Sequence, residues 1–182
     1  YILSYLPKIE QETFTLGATM QHFGGKHIQR LAIGYSYLAN RNTKYIDNDS
    51  SSEDNLRLRL RSVEGKGSVR FENRSLLGGW RLREGVELSL RHYTNQTRQL
   101  VASEAATYAT YKTDLLFMGY ALFFSADYLS ANERFSASLG VRFDGSTYSA
   151  RMSRLWHQTS PRLALSYNLG KGFAVSGSMG LY

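Results

Sequence analysis

Four histidines, one acid-rich loop and two glycine–lysine turns are where this 182-residue chain could carry chemistry. His22 and His27 flank a single turn and are close enough in sequence to meet. His92 and His157 lie in other segments, and no carboxylate or cysteine joins any of the four at metal-ligand spacing. Scattered histidines are the better reading. Asp47–Asp54 (Asp-Asn-Asp-Ser-Ser-Ser-Glu-Asp) is rich in oxygen ligands, but an EF-hand loop wants glycine sixth and glutamate twelfth, where this chain has Ser52 and Leu58. A solvated loop is expected there, with weak cation binding as the alternative. Gly24-Gly25-Lys26 and Gly65-Lys66-Gly67 lack the spacing and the following helix of a phosphate loop. There is no Gly-x-Ser-x-Gly elbow, and the acid pair Glu84/Glu87 falls on a strand where solvation explains it. No residue is assigned to catalysis, to a cofactor or to a metal, and no ligand-binding set is read. With no cysteine, disulfide and thiolate chemistry are excluded.

The net charge of +7 raises the question of nucleic acid. The arginines argue against it, because Arg57, Arg59 and Arg61 alternate with Leu56, Leu58 and Leu60 instead of clustering on a helix or loop. On a strand, that pattern puts guanidinium groups either in a wet lumen or above a membrane, near lipopolysaccharide phosphates.

Alternation of this kind recurs along the chain and defines the elements. Leu116, Met118, Tyr120, Leu122, Phe124, Ala126 and Tyr128 occupy every second position of one run. After the short turn Ser130–Glu133, residues Phe135, Ala137, Leu139, Val141 and Phe143 alternate with Ser136, Ser138, Gly140, Arg142 and Asp144. Period two means a strand with two unlike faces. Phe135–Asp144 would extend roughly 33 Å at ~3.3 Å per residue and rise roughly 23 Å when tilted ~45°, close to the apolar band of outer-membrane barrels. Strands of soluble domains typically stop at about 5–6 residues. No run of about 18 apolar residues exists, so a transmembrane helix is excluded. Mean hydropathy of −0.36 fits a barrel in which lumen-facing polar residues dilute the lipid face.

The same pattern appears in Thr13–Phe23, closed by a Gly24-Gly25 hairpin turn, and in Leu31, Ile33, Tyr35 and Tyr37. It returns in Trp80–Thr94, in Pro161–Asn168 and, after Gly170-Lys171-Gly172, in Phe173–Leu181. Long polar loops are expected at 40–54, 95–106 and 145–159, and short turns at 24–25, 76–79, 130–133 and 169–172. Gly65-Lys66-Gly67 is either a hairpin turn or a bulge within one strand. Long loops and short turns alternate consistently only if 55–74 is a single strand, so the bulge is chosen. The expectation is an all-β, antiparallel transmembrane β-barrel wall of about eight strands, with residues 1–182 forming one unit and no second domain. Leu31, Ile33, Tyr35, Leu122, Phe124, Leu139, Val141, Leu163 and Leu165 are expected on the lipid face. Arg30, Ser138, Arg142, Arg162 and Ser166 are expected on the other.

Several passages resemble the barrel of TonB-dependent outer-membrane receptors, especially the Bacteroidetes type. Leu139-Gly140-Val141-Arg142-Phe143-Asp144 is similar to that family's glycine-x-Arg-x-Asp strand end, and Ser160-Pro161-Arg162-Leu163-Ala164-Leu165-Ser166-Tyr167 to its Ser-Pro-Arg strand start. Gly177–Tyr182 resembles the ascending strand that follows, and Glu64–Asn73 has the same familial look. The resemblance implies a barrel of about 22 strands with a plugged lumen. This chain supplies roughly a third of that, with no plug domain visible, and begins at Tyr1 without a leader, so it reads as an internal, open fragment. The implied function is import of a siderophore, cofactor or glycan across the bacterial outer membrane. Outer-membrane lipid and lipopolysaccharide, the protein's own plug, TonB and a small-molecule ligand are the implied partners. Lumen groups such as Arg142, Arg162 and Asp127 would hold the plug while the three loops sample ligand. Two rivals stay open: a self-contained eight-stranded barrel that anchors or adheres, whose first and last strands must pair, and a barrel enzyme, which needs a nucleophile with a partner base.

Overall fold

A computed structural model describes residues 6–102 and 107–181, excepting the side chain of Ala102. Eight strands follow one another: β1 Lys8–Gly24, β2 His27–Tyr45, β3 Leu56–Leu77, β4 Trp80–Ala102, β5 Thr107–Leu129, β6 Phe135–Ser146, β7 Thr159–Gly170 and β8 Phe173–Gly180. They form one sheet in the order β1-β2-β3-β4-β5-β6-β7-β8. Among the described residues β1 and β8 therefore have one neighbour each, and the sheet is open. This removes the self-contained barrel, which required those two strands to pair. By contacts the chain divides into two compact units, one of residues 1–16, 35–67 and 91–116, the other of 17–34, 68–90 and 117–182.

The hairpin turns follow from local chemistry. Gly25 and Gly78 sit at φ +52° and +60°, a left-handed conformation that glycine adopts without steric cost. The β5–β6 turn is held by its own side chains: Ser130 Oγ accepts from the Phe135 amide at 2.9 Å, and Asn132 Oδ1 from the Arg134 amide at 3.1 Å.

Strand number and turn positions match the sequence expectation, but the long loops shrink. β2 continues to Tyr45, so the loop expected at 40–54 is confined to 46–55, where short 3-10 turns span Ile46–Asn48 and Glu53–Asn55. Most of the loop expected at 95–106 is strand, since β4 runs to Ala102 and β5 starts at Thr107; residues 103–106 lie outside the described residues. The third loop runs from 147 to 158 and ends in a 3-10 turn, Leu155–Gln158. Polar composition marked these stretches as loops, yet polar strands remain paired in water when no proline or glycine interrupts them. Side-chain contacts assist: the Arg98 guanidinium lies 4.2 Å from the Tyr108 ring centroid, joining β4 to β5.

β3 is a single strand through Gly65-Lys66-Gly67, as the alternation of long and short connections required. Neither glycine has the positive φ of a glycine bulge. A Cβ on Gly65 would lie 3.2 Å from the Tyr35 hydroxyl, so this glycine makes room for an aromatic side chain on the neighbouring strand.

Register fixes the two faces of β5–β8. Leu122 opposes Phe143; Phe124 opposes Val141, which opposes Pro161; Ala126, Leu139, Leu163 and Met179 form one continuous row. On the other face Asp127, Ser138, Ala164 and Ser178 form a row, followed by Leu129, Ser136, Ser166 and Ser176. Of the residues expected to face lipid, Ile33, Tyr35, Leu122, Phe124, Leu139 and Leu165 are exposed, while Leu31, Val141 and Leu163 are half-buried. Large apolar side chains exposed in rows, opposite a polar face, are the inverse of a soluble protein and fit a wall between lipid and lumen. Aromatic clusters bracket the row: Trp80 and Tyr128 (centroids 4.8 Å apart) with Phe135 at the short-turn end, Phe143 and Trp156 (5.2 Å) at the other.

Candidate functional site

The polar face of β3–β6 carries a connected set of ions. Arg74 Nε and Arg70 Nη2 donate to the two oxygens of Glu72 at 2.6 and 3.1 Å. Arg70 also reaches Glu87 at 3.5 Å, Glu87 accepts from Arg142 at 3.5 Å, and Arg142 Nε donates to both oxygens of Asp144 at 3.0 and 2.9 Å. The Arg70 guanidinium additionally lies 4.4 Å from the Phe123 ring centroid. Alternate positions place Arg70, Glu72 and Arg74 on one face of β3; Glu87 on β4 and Arg142 on β6 lie on the same face and reach each other across β5. Three arginines and three carboxylates alternate, so the network is internally neutral. Glu72 has a nearly buried side chain and is served by two guanidinium groups, the condition under which a buried carboxylate remains tolerable.

Below this network the face becomes small and hydroxylic. A groove of about 690 Å³ is lined by Asp127, Ser136, Ser138, Ala164, Ser166 and Ser178, among others. Ser138 Oγ donates to Asp127 at 2.6 Å. Of the three lumen groups read from sequence, Arg142 belongs to the ion network, Asp127 to the serine groove, and Arg162 lies in register with Gly140 and Gly180 on the same polar face. What the sequence did not show is the role of Glu87, read there as an ordinary solvated acid; it bridges two arginines from two other strands. Only cross-strand register could reveal that.

The other candidates resolve toward structure. His27 Nδ1 lies 2.9 Å from Ser75 Oγ, and Asn73 joins Ser75 (3.3 Å) to Glu84 (2.8 Å), so the carboxylate in this cluster is bonded to the amide and not to the histidine. That is not the order of a nucleophile, base and orienting acid. His92 Nε2 lies 2.9 Å from Asp114 Oδ1 across β4 and β5, a pairing that linear spacing concealed. Among the described residues no group of three or more histidine, cysteine or carboxylate side chains is placed to hold a metal. In the acid-rich loop Asp49, Glu53 and Asp54 are partnered by the chain itself. Asp49 accepts from the Ser51 amide and from Asn55 Nδ2, both at 2.9 Å, and the hydrogen bonds from Ser51 hold it below its ordinary range. Glu53 receives a bidentate pair from Arg59 at 2.5 and 3.1 Å, which lowers its pKa as well.

An open, two-faced antiparallel sheet with an apolar outer surface and an ion-paired inner one defines a piece of a large membrane barrel. The family described as "TonB dependent receptor-like, beta-barrel" matches residues 4–180, and the chain belongs to it. The solved structure of the copper transporter OprC is similar to this chain with a TM-score of 0.67 and 13% identity, over 94% of this chain and 29% of that one. At that identity the likeness shows the fold alone, and this chain spans 29% of that transporter's length. A search of curated proteins gives no match.

Proposed function

We propose that the chain forms part of the wall of a TonB-dependent receptor in the bacterial outer membrane, importing a scarce nutrient such as a siderophore, cofactor or glycan. The observation that carries this reading is the open sheet with lipid-compatible and ion-paired faces, within a family defined by such barrels. Unpaired strand edges are not viable in hydrocarbon, so β1 and β8 require further strands beside them. The polar face then lines a lumen wide enough for a plug. Small side chains in the Ser138–Ala164–Ser178 and Ser136–Ser166–Ser176 rows allow a folded plug to approach the wall closely and hydrogen-bond to its hydroxyls. The neutral ion network above it presents donors and acceptors without attracting or repelling a plug of either charge. TonB and the protein's own plug are the partners, and outer-membrane lipid and lipopolysaccharide surround the wall. The wall's work is holding and admitting, not bond-making.

The test is uptake by cells carrying the full-length protein. Growth on one limiting nutrient should require both this protein and TonB, and should fail when either is deleted. Nutrient uptake that continues at full rate without TonB would overturn the reading in favour of a passive pore.

A further inference from the structure

In the unit made of residues 1–16, 35–67 and 91–116, an open groove of about 600 Å³ crosses β2–β5, lined by the cations Arg41, Arg59, Arg61, Arg98 and Lys112. Two carboxylates answer them. Glu53 holds Arg59 and lies 3.9 Å from Arg98, and Glu10 lies 3.4 Å from Arg41. Arg61 and Lys112 have no carboxylate partner among the described residues. Asp114, two residues from Lys112 on the same face of β5, is met by His92, and five cations against these three acids leave the groove net positive.

Strand parity tells which way it opens. Side chains an even number of residues apart on a strand share a face. Arg41 is six residues from Tyr35 on β2, and Lys112 four from Leu116 on β5; Tyr35 is 47% exposed and Leu116 66%. The His92–Asp114 and Arg98–Tyr108 contacts keep the same register between β4 and β5, with no slip from one pair to the other. The cations therefore share the apolar, lipid-side face of the wall, not the lumen. Height agrees. Four residues from Leu116 to Lys112 span ~13 Å along the strand and about 9 Å vertically at ~45° tilt. The headgroup layer outside the hydrocarbon is roughly 5–8 Å thick. The groove also lies toward the 46–55 loop, the long-loop end that faces outward in such barrels.

We infer that this groove binds the phosphate groups of an anionic glycolipid in the outer leaflet, with Arg61 and Lys112 as the principal ligands and Leu116 and Tyr35 against its acyl chains. The inference rests on the reading of this face as lipid-facing. Guanidinium forks suit phosphate oxygens, and the exposed apolar side chains Tyr35 and Leu116 further down the same face suit a lipid better than a free anion. Glu53 and Glu10 fix the neighbouring arginines in place, so the groove keeps its form before the lipid arrives.

The test uses the full-length protein purified in detergent and binding of lipopolysaccharide, its dephosphorylated form, and inorganic phosphate. Arg61→Gln with Lys112→Gln should weaken lipopolysaccharide binding ~25-fold, from ~fivefold per cation near an anionic surface. Arg61→Lys with Lys112→Arg should retain most of it, which separates charge from folding. Dephosphorylated lipid should bind the wild type as weakly as lipopolysaccharide binds the Gln variant. Equal binding by wild type and Gln variant would overturn the inference, as would inorganic phosphate displacing the lipid at comparable concentration. The readout is lipid binding and not uptake, so a failed TonB dependence would leave this result standing, and a failed lipid result would leave transport untouched.

Discussion

Leu139→Arg should destabilise the inserted protein by about 2–4 kcal/mol, the cost of a cation on the lipid face near the bilayer midplane. The depth follows from β6 itself. Leu139 lies midway between Phe135 and Phe143, four residues from each, and both aromatics belong to clusters at the ends of the apolar row. Four residues are ~13 Å along the strand and ~10 Å vertically at ~40° tilt, close to half of an apolar band ~25 Å tall. Leu139 is 52% exposed and sits in register between Ala126 and Leu163, so an arginine there meets lipid and has no counter-ion in its row. Ser138→Arg, one residue away, turns to the polar face beside Asp127. It loses one hydrogen bond, worth ~1 kcal/mol, and regains part of that by pairing with the Asp127 carboxylate. The two neighbours should thus differ by roughly 2–3 kcal/mol, about 30- to 150-fold in the folding equilibrium. Denaturant titration of the full-length protein in lipid vesicles measures both, and Leu163→Arg, opposite Leu139, should repeat the larger cost. Equal costs at 138 and 139, or the larger cost at 138, would refute the assignment of faces.

Glu87→Gln should cost about 1–2 kcal/mol, less than breaking a buried pair, because Glu87 and Arg142 are half-buried and Arg142 keeps Asp144. A double-mutant cycle with Arg142→Met should give a coupling of about 0.5–1.5 kcal/mol, and zero coupling would dissolve the proposed network. The Glu53 carboxylate is held below its ordinary range by hydrogen bonds from Arg59, so the folded loop binds fewer protons than the unfolded one. Its contribution is complete above the ordinary glutamate value, ~4.3, and is lost as pH falls through the lowered folded value. Amide exchange in residues 46–55 should accordingly speed up in acid and become less pH-sensitive in Glu53→Gln; protection unchanged down to strong acid would contradict this. Gly85→Ala should cost about 1–3 kcal/mol, because its Cβ would collide with the Phe71 carbonyl and the Phe123 ring, whereas Gly67→Ala meets nothing and should stay within ~0.5 kcal/mol in the same titration.

Period-two alternation is a property of neighbouring residues, so the sequence alone determined the strands, their two faces and their number. Gly25 and Gly78 marked turns for the same local reason, and the long Leu116–Tyr128 run already required a membrane-sized strand. The ends of strands were not local. Asn40–Tyr45 and Asn95–Ala102 have the composition of loops, but they are the ends of β2 and β4, strands that have a neighbour on each side in the sheet. The arginines of Leu56–Arg61 show the limit most clearly. Sequence left them either in the lumen or above the membrane, since alternation gives two faces without naming them. Only the neighbours decide, and in the folded sheet Arg59 and Arg61 share a groove with Arg41 and Lys112, whose strands fix the side by Tyr35 and Leu116. Glu87 is the complementary case on the inner face: an unremarkable acid in sequence, it joins Arg70 to Arg142 across positions 55 residues apart in the chain from the latter. Local chemistry sets what each side chain is and which way it alternates; register, a sum over hydrogen bonds along whole strands, sets what it meets.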